Sequence, residues 1–331
     1  MATCLVTGGA GYIGGMTARV LLDHGHDVVV LDNLSRGHRA QIDPRATFEL
    51  GDIRDRDRVL DILSRHRPDC VLHFAALAEV GESFDKPELY FDVNVRGTIT
   101  LMDAMVEARV ELMVFSSSCT VYGDVDCLPI TESLPIKDAV SPYGQSKLTV
   151  EQIMGWMART GKIRSVRLRY FNAAGAVPEH GEDHNPETHL IPLAIDAALG
   201  RRPPLQVFGD DYPTPDGTCI RDYIHIADLA DAHRLAMDKL LAGEEVPAAI
   251  NLGSETGSTV LDVIRMVEEV SGTPVPHAIA PRRDGDAPAL VASSTLAREA
   301  LGWNPARSSL RELVRSAYEW RRDHPDGYGP S

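Results

Sequence analysis

"CLVTGGAGYIGG" (residues 4–15) is the stretch that decides the fold of this 331-residue chain. A short apolar run, typical of a buried strand, leads directly into the pattern Gly8-x-x-Gly11-x-x-Gly14, and a helical pattern then continues to Gly25. Glycines at this spacing allow a tight turn and let a diphosphate approach the N-terminus of the helix closely. The stretch therefore predicts a dinucleotide-binding unit at the start of the chain.

Further apolar runs continue this pattern along the first half of the chain. "DVVVLD", "CVLHFA", "ELMVFSS" and "SVRLRYF" read as buried strands, and they alternate with helical patterns such as "ELYFDVNVRGTITLMDAMVEA". This alternation predicts an α/β fold with a doubly wound (Rossmann) parallel sheet. Turn-rich segments then predict a division into a dinucleotide-binding domain of residues 1–175 and a smaller mixed α/β domain of residues 176–331. Residues 249–254 are expected to return to the main sheet.

The bulk composition excludes several classes of protein. With 48 acidic against 33 basic residues the net charge is −15, which argues against a nucleic-acid-binding surface. No apolar run reaches the ~20 residues of a membrane helix, and the first residues lack the pattern of a secretion signal. Five cysteines without a CxxC pair predict a reduced, cytoplasmic protein. The histidines of one polar loop match no zinc spacing, so we expect that loop to be solvated and predict no metal site; they are His180, His184 and His189.

Acidic residues at two strand ends refine the cofactor prediction. Asp32 ends "VVVLDN", where the ribose-binding carboxylate of such units belongs, and a carboxylate there would repel a 2′-phosphate. The position favours NAD over NADP, although Arg36 lies close enough in sequence to leave NADP open. Asp52, in "GDIRD" after the third strand, is predicted to face the adenine, and the backbone of "HFAA" to lie near the cofactor.

"SPYGQSKL" (residues 141–148) raises the question of catalysis. If Pro142 lies in the first turn of a helix, Tyr143 and Lys147 project from the same face. A cation beside a phenol lowers its pKa, which would give a base that works near neutral pH. For an isolated YxxxK pattern, however, an exposed surface pair is the simpler interpretation, so a catalytic role depends on the neighbouring motifs.

Those neighbouring motifs resemble the extended short-chain dehydrogenase/reductase family, in particular its UDP-sugar 4-epimerases. The resemblance covers nearly the whole chain in order, and the stretches that carry it include "VTGGAGYIG", "GDIRD", "FSSSCTVYGD", "SPYGQSKLTVEQ", "LRYFNAAGA" and "FGDDYPTPDGTCIRDYIHI". It implies a catalytic triad in which Tyr143 transfers the proton of the sugar 4-hydroxyl, Ser118 binds the same oxygen, and Lys147 holds the nicotinamide ribose. It also implies NAD as cofactor and inversion at C4 of UDP-glucose or UDP-galactose. The implied intermediate is a 4-keto sugar that stays in the site and rotates to present its other face.

The resemblance also implies sets of binding residues and a homodimer. Together with the motifs, it predicts that the cofactor contacts are Gly8, Gly11, Tyr12, Ile13, Gly14, Asp32, Asn33, Asp52, Ile53, Phe74, Ala75, Ala76, Asn94, Tyr143, Lys147 and Phe171. The implied substrate contacts are Ser118, Thr120, Tyr143, Asn172, His189, Leu190, Phe208, Arg221, Tyr223, Arg283, Asp286 and Leu290. Among them, Arg221 and Arg283 match the positions that hold the substrate diphosphate.

Four positions distinguish this chain from particular members of the family. Cys119 and Thr120 stand where the related 4,6-dehydratases carry an Asp-Glu pair, so elimination of water is not expected. Ala78 replaces a lysine that commonly reaches the cofactor phosphates, which predicts weaker NAD retention. Leu290 has a bulk between a tyrosine, associated with glucose/galactose enzymes, and a cysteine, associated with N-acetylhexosamine acceptance. It predicts glucose and galactose as the main pair, and a dual-specificity or UDP-N-acetylglucosamine enzyme is the alternative.

Overall fold

A computed structural model describes residues 1–125, 127–283 and 286–329 of the chain. Within these residues the strands are β1 (Thr3–Thr7), β2 (Asp27–Asp32), β3 (Thr47–Leu50), β4 (Cys70–His73), β5 (Leu112–Ser118), β6 (Arg164–Tyr170), β7 (Asn172–Ala174), β8 (Leu205–Phe208), β9 (Ile220–His225), β10 (Ala249–Leu252), β11 (Gly257–Thr259), β12 (His277–Ala280) and β13 (Ala289–Leu290). The α-helices are α1 (Tyr12–Asp23), α2 (Arg56–His66), α3 (Val80–Asp85), α4 (Pro87–Tyr90), α5 (Gly97–Ala108), α6 (Pro142–Arg159), α7 (Leu190–Ala198), α8 (Ile226–Leu241), α9 (Val260–Ser271), α10 (Thr295–Leu301) and α11 (Leu310–Asp323).

A seven-stranded parallel sheet forms the centre of the molecule. Its strand order is β10-β6-β5-β4-β1-β2-β3, and every pair in it is parallel. The order reverses between β1 and β4, and ligands of such sheets bind at that point, beyond the carboxyl ends of the strands. The structure therefore confirms the predicted doubly wound α/β fold.

Helices cover both faces of this sheet and bury its side chains. On one face, β1 and β4 pack with α1, α8 and α10 in a single cluster that includes Val6, Leu21, Met237 and Leu301. On the other face, α2, α5 and α6 cover the sheet through residues such as Leu5, Ile62, Met105 and Met154. Because the strands are buried on both sides, β1, β2 and β4 consist mainly of apolar residues, whereas β5 and β6 also contain buried serines and arginines.

The predicted long helix before β5 is interrupted by a wider turn. α4 runs into a π-helical segment, Phe91–Arg96, which continues directly as α5. The periodicity correctly indicated a helix in this region but did not reveal the π turn. Such turns are rare and occur frequently at functional sites, because the extra residue redirects a side chain. Here the π segment contains Asn94.

The remaining strands form two smaller sheets beside a third core. β11, β9 and β13 are neighbours with β7 paired to β9, and β12 pairs with β8. α7, α9 and α11 pack with them around residues such as Ile195, Val207, Val263 and Val314. β10 lies apart from these sheets, since it pairs with β6 at the edge of the main sheet. None of the described helices combines the length and apolar character that spanning a membrane requires.

Candidate active site

The glycine turn after β1 is built by backbone atoms in close contact. Gly8 has φ +74°, and its N–H donates to the Leu31 carbonyl at 2.8 Å. A Cβ on Gly8 would lie 2.5 Å from the Ala75 nitrogen, and one on Gly14 would collide with the Gly8 carbonyl oxygen. Only glycine fits these two positions. The turn thus leads the backbone straight into the N-terminus of α1, where a dinucleotide diphosphate fits.

Asp32 lies at the end of β2 beside this turn. Its carboxylate accepts from the backbone N–H of Ala10 at 3.0 Å and of Leu34 at 2.8 Å. Burial raises the pKa of Asp32, while these hydrogen bonds lower it. Arg36 forms a bidentate ion pair with Glu82, at 2.7 and 2.8 Å. Since the Arg36 guanidinium is paired with Glu82, this structure does not direct it toward the 2′-phosphate of NADP. The site therefore fits NAD.

Asp52 is held in place by two neighbours at the end of β3. Arg54 donates two hydrogen bonds to its carboxylate, at 2.9 and 2.8 Å, and the Asn33 amide donates a third at 2.9 Å. The Arg54 guanidinium keeps the pKa of Asp52 well below its usual range. Ile53, by contrast, packs its side chain in the core beside Gly97, so we expect its backbone to face the cofactor.

The segment after β4 is fixed by backbone and amide hydrogen bonds. The N–H groups of Phe74 and Ala75 donate to the Thr7 carbonyl at 2.9 and 3.1 Å. Asn94 accepts from the Leu77 N–H at 2.8 Å and donates to the Leu77 carbonyl at 3.0 Å. Its amide also donates to the Ser146 hydroxyl at 2.9 Å. Asn94 therefore links this segment to α6 at Ser146, the residue before Lys147.

The three predicted catalytic residues meet at the carboxyl end of β5. Ser141 caps α6 by accepting from the Gly144 N–H at 3.1 Å, with Pro142 in the first turn, as the sequence predicted. Tyr143 is thereby placed near Ser118, whose hydroxyl acts to lower the pKa of the phenol. The Lys147 ammonium donates to the Ser116 carbonyl at 2.9 Å and lies 5.9 Å from the centre of the Tyr143 ring. All three side chains are buried.

Burial shifts the two titratable groups of the triad in opposite directions. It raises the pKa of Tyr143 to about 12, although the Ser118 hydroxyl lowers it. It lowers the pKa of Lys147 from 10.5 to about 7, although Glu151 raises it. The predicted lowering of the Tyr143 pKa by Lys147 stays a prediction, because desolvation sets the direction of the shift in this structure. Desolvation, which the spacing of YxxxK does not reveal, is the larger effect on both groups.

The predicted substrate residues form two adjoining groups. Around β9, Arg221 is paired in register with Leu290 and donates to Asp286 at 3.3 Å and to the Ala287 carbonyl at 2.8 Å. Tyr223 is paired in register with Asn172 on β7. Nearby, the guanidinium of Arg283 lies 3.9 Å above the Phe208 ring.

The loop after Ser118 connects these groups to the triad. Leu290 packs on the cluster formed by Cys119 and Phe171, among others. Thr120 donates from its hydroxyl to Ser118 at 3.1 Å. Cys119 is buried, and desolvation raises the pKa of its thiol to about 12, so it is no nucleophile at neutral pH. Neither Cys119 nor Thr120 supplies a carboxylate beside the reacting tyrosine.

The histidine loop before α7 differs from its prediction. His180 is fully buried, with its ring stacked on Tyr12 and its Nε2 2.6 Å from the Tyr12 carbonyl oxygen, so the expectation of a solvated loop is wrong here. His189 precedes Leu190 at the start of α7 and lies 2.8 Å from Glu182. Burial lowers the pKa of His189, but two nearby carboxylates raise it well above its usual value.

Sequence reasoning missed several buried polar residues around the site. His73, at the end of β4, lies 2.6 Å from the Thr7 hydroxyl and 2.8 Å from that of Thr98. Burial, assisted by the charge of Lys147, lowers the pKa of His73 to about 3, so it is neutral. Glu82, which is only partly buried, was also missed, although its carboxylate pairs with the Arg36 guanidinium. His73 lies inside an apolar strand pattern and Glu82 in a short helix, so neither carries a recognisable motif.

This site matches a known family. Residues 4–253 match the NAD dependent epimerase/dehydratase family. The chain belongs to that family.

The proteins similar to this chain include several UDP-glucose 4-epimerases. The chain is 50% identical over 323 residues to a UDP-glucose 4-epimerase of Rhizobium leguminosarum bv. trifolii, covering 96% of this chain and 97% of the relative. A crystal structure of UDP-glucose 4-epimerase from Brucella ovis in complex with NAD is 44% identical, with a TM-score of 0.93 and coverage of 96% and 98%. A structure of the Bifidobacterium longum enzyme in complex with NAD+ and UDP is 38% identical, with a TM-score of 0.93 and coverage of 98% and 99%.

The shifted pKa of Lys147 predicts a pH-dependent contribution to stability. Between the folded pKa of about 7 and the ordinary 10.5, the unfolded chain binds more protons at this group, so its contribution to the free energy of unfolding rises with pH. The rise is at most about 1.4 kcal/mol per pH unit. We expect the unfolding free energy of the wild type, relative to Lys147→Met, to increase from pH 7 to pH 9 in urea titrations. Exposed Lys162→Met is the control, and a constant difference for Lys147→Met would contradict the prediction.

Proposed function

We propose that this protein is an NAD-dependent UDP-glucose 4-epimerase, which inverts C4 of UDP-glucose and UDP-galactose through a 4-keto intermediate. The observation that carries the proposal is that Ser118, Tyr143 and Lys147 are buried near one another at the carboxyl edge of the sheet, the edge that also carries the glycine turn. NAD, when bound, supplies the acceptor and donor of hydride and places a cationic ring near the phenol. The glycine turn and Asp32 would hold its diphosphate and ribose.

The chain's own side chains would manage the proton at the sugar 4-hydroxyl. Ser118 hydrogen-bonds that oxygen and orients it toward Tyr143. The phenolate of Tyr143 then accepts the proton, and Tyr143 returns it after the 4-keto sugar has rotated. Lys147, held by the Ser116 carbonyl, stays close enough to stabilise the phenolate when protonated and to contact the cofactor ribose.

Two arginines support binding of a nucleotide diphosphate. Arg221 is oriented by Asp286 and by backbone carbonyls, and Arg283 by the Phe208 ring. Their planar donors suit phosphate oxygens, which the acidic chain must bind with local cations. We propose that residues 1–175 mainly bind NAD and residues 176–331 mainly the UDP-sugar, with the other predicted contacts lining that site.

The first test is conversion of UDP-galactose to UDP-glucose without added NAD, with the products separated by chromatography. We expect turnover by the wild type, because an epimerase regenerates its cofactor in every cycle. Tyr143→Phe removes the proton acceptor and should lower kcat by about 10²–10⁴-fold. Tyr318→Phe, in α11 on the third core, is the control and should retain activity. Failure of the wild type even with added NAD would refute the proposal.

Leu290 allows a second prediction, which concerns the sugar. Its side chain packs between the substrate group and the Cys119 cluster, so its bulk would limit the pocket. We expect the wild type to favour UDP-galactose over UDP-N-acetylgalactosamine. Leu290→Cys should raise the relative kcat/KM for the N-acetyl sugar about tenfold, and Leu290→Tyr should abolish it. Equal turnover of both sugars by the wild type would favour the alternative, a dual-specificity enzyme.

We also propose a homodimer in a reducing, cytoplasmic compartment. The five cysteines are free thiols, which suits such a compartment. Large apolar side chains are exposed on the segment from α3 to α5 and on α6, and they are Val80, Phe84, Phe91, Ile99, Val106 and Trp156. Exposed apolar side chains grouped on adjacent helices are typical of an interface.

The dimer is tested by light scattering of two matched variants. Ile99 on α5 is 44% exposed, and Ile279 on β12, outside the proposed interface, is 50% exposed. We expect Ile99→Asp to shift the mass toward a monomer, because a charge would be buried without a partner. Ile279→Asp should leave the mass of the wild-type dimer unchanged. A monomeric wild type would contradict the proposal.

A further inference from the structure

Four metal-ligating side chains converge in the loop between β7 and α7. Glu182, His184, Glu187 and His189, called here the His–Glu cluster, each offer one ligand atom, and these atoms all lie within 4.8 Å of one another. The sequence showed three histidines at spacings that match no zinc motif. Folding removes His180 from the set, because it is buried against Tyr12, and adds the two glutamates instead.

The distances within the cluster suit a single small cation. Glu182 Oε1 lies 3.2 Å from His184 Nδ1 and 2.8 Å from His189 Nδ1, and Glu187 Oε1 lies 3.1 Å from His189 Nδ1. Tetrahedral zinc bonded at about 2.0–2.1 Å separates its ligand atoms by about 3.4 Å. The three observed contacts are close to that edge length, and all four ligand atoms lie within 4.8 Å of one another.

Burial gives an independent reason to expect a ligand here. The Glu182 side chain is only 7% exposed and that of Glu187 only 11%. His184 Nδ1 faces Glu182 Oε1 at 3.2 Å, and the buried Glu187 Oε2 makes no hydrogen bond within the described residues, with the Arg321 guanidinium 3.9 Å away. Buried polar atoms are seldom left without a hydrogen bond, because desolvating them is costly. A cation in the cluster would give Glu187 Oε2 a close partner and would join the other ligand atoms to it.

We propose that the His–Glu cluster binds one divalent transition-metal ion of the zinc class. Two imidazoles with two carboxylates favour zinc, cobalt or manganese over magnesium or calcium, which prefer oxygen ligands alone. The proposal uses Nδ1 of His189 and leaves its Nε2 for the substrate contact that the resemblance implies.

The surroundings of the cluster already orient its carboxylates. The backbone N–H groups of Thr188 and His189 donate to Glu187 Oε1 at 2.8 and 2.9 Å. Arg321 donates to the backbone carbonyl of Glu182 at 3.1 Å, which fixes the main chain that carries this ligand. Outer hydrogen bonds of this kind fix ligands in established metal sites. We assign the ion a positioning role: the ring of His184 lies edge-on to that of Tyr12, with centroids 6.1 Å apart, so ordering this loop would also order the start of α1.

The test is metal binding by the full-length protein after dialysis against a chelator, followed by calorimetric titration with Zn²⁺. We expect one ion per chain and at least a tenfold weaker Kd in both Glu182→Gln and His184→Gln. His66→Gln is the matched control, since His66 contacts Glu49 at 2.7 Å outside the cluster and its loss should leave the Kd unchanged. Zn²⁺ should raise the Tm of the wild type and the control only. Circular dichroism checks that each variant is folded.

Co²⁺ provides a readout that needs no variant. Substitution into the wild-type site should give the intense visible d–d bands of a tetrahedral centre. Absence of saturable Zn²⁺ binding, or an unchanged Kd in both cluster variants, would overturn the proposal. Epimerisation of UDP-galactose is measured separately on the chelator-treated protein. Failure of metal binding is therefore distinguishable from failure of the proposed function.

Discussion

The close approach of the ends of β1 and β4 is the constraint on which the rest of the structure depends. The backbone of Gly8 faces that of Ala75 with no space for a side chain, and the Thr7 carbonyl binds both Phe74 and Ala75. This contact lies where the strand order reverses. It therefore fixes the start of α1 on one side and the segment leading to Asn94 on the other, so that cofactor and catalytic residues share one edge of the sheet.

Desolvation is the second constraint on the site, because it shifts the pKa of both titratable residues of the triad. Tyr143 and Lys147 are both buried, and each is driven toward its neutral form, the phenol by a raised pKa and the amine by a lowered one. In a low-dielectric environment the neutral forms cost least. The proposed mechanism needs the phenolate, so a cationic group near the ring, such as protonated Lys147, would offset the cost of its ionisation.

The sequence predicted the parts of this protein that repeat a local rule. The glycine turn, the parallel strands and the helix start at Pro142 follow from short patterns, whereas the triad was implied by the family resemblance, and the structure brings its residues together. Contacts between distant segments were not predictable, since they depend on packing. The pairing of Arg36 with Glu82, the π turn at Asn94 and the convergence of Glu182 with His189 are of this kind. Desolvation of Tyr143 was missed for the same reason, because spacing carries no information on burial.

The position of β10 has a consequence for how the protein is made. β10 completes one edge of the main sheet, and α8 covers that sheet beside α1, although both come from the second half of the chain. A ribosome must therefore reach residue 252 of 331 before the nucleotide-binding sheet can close. Until then β6 remains an open edge that could pair with another nascent chain. The first half of the chain therefore cannot complete its sheet without residues of the second half.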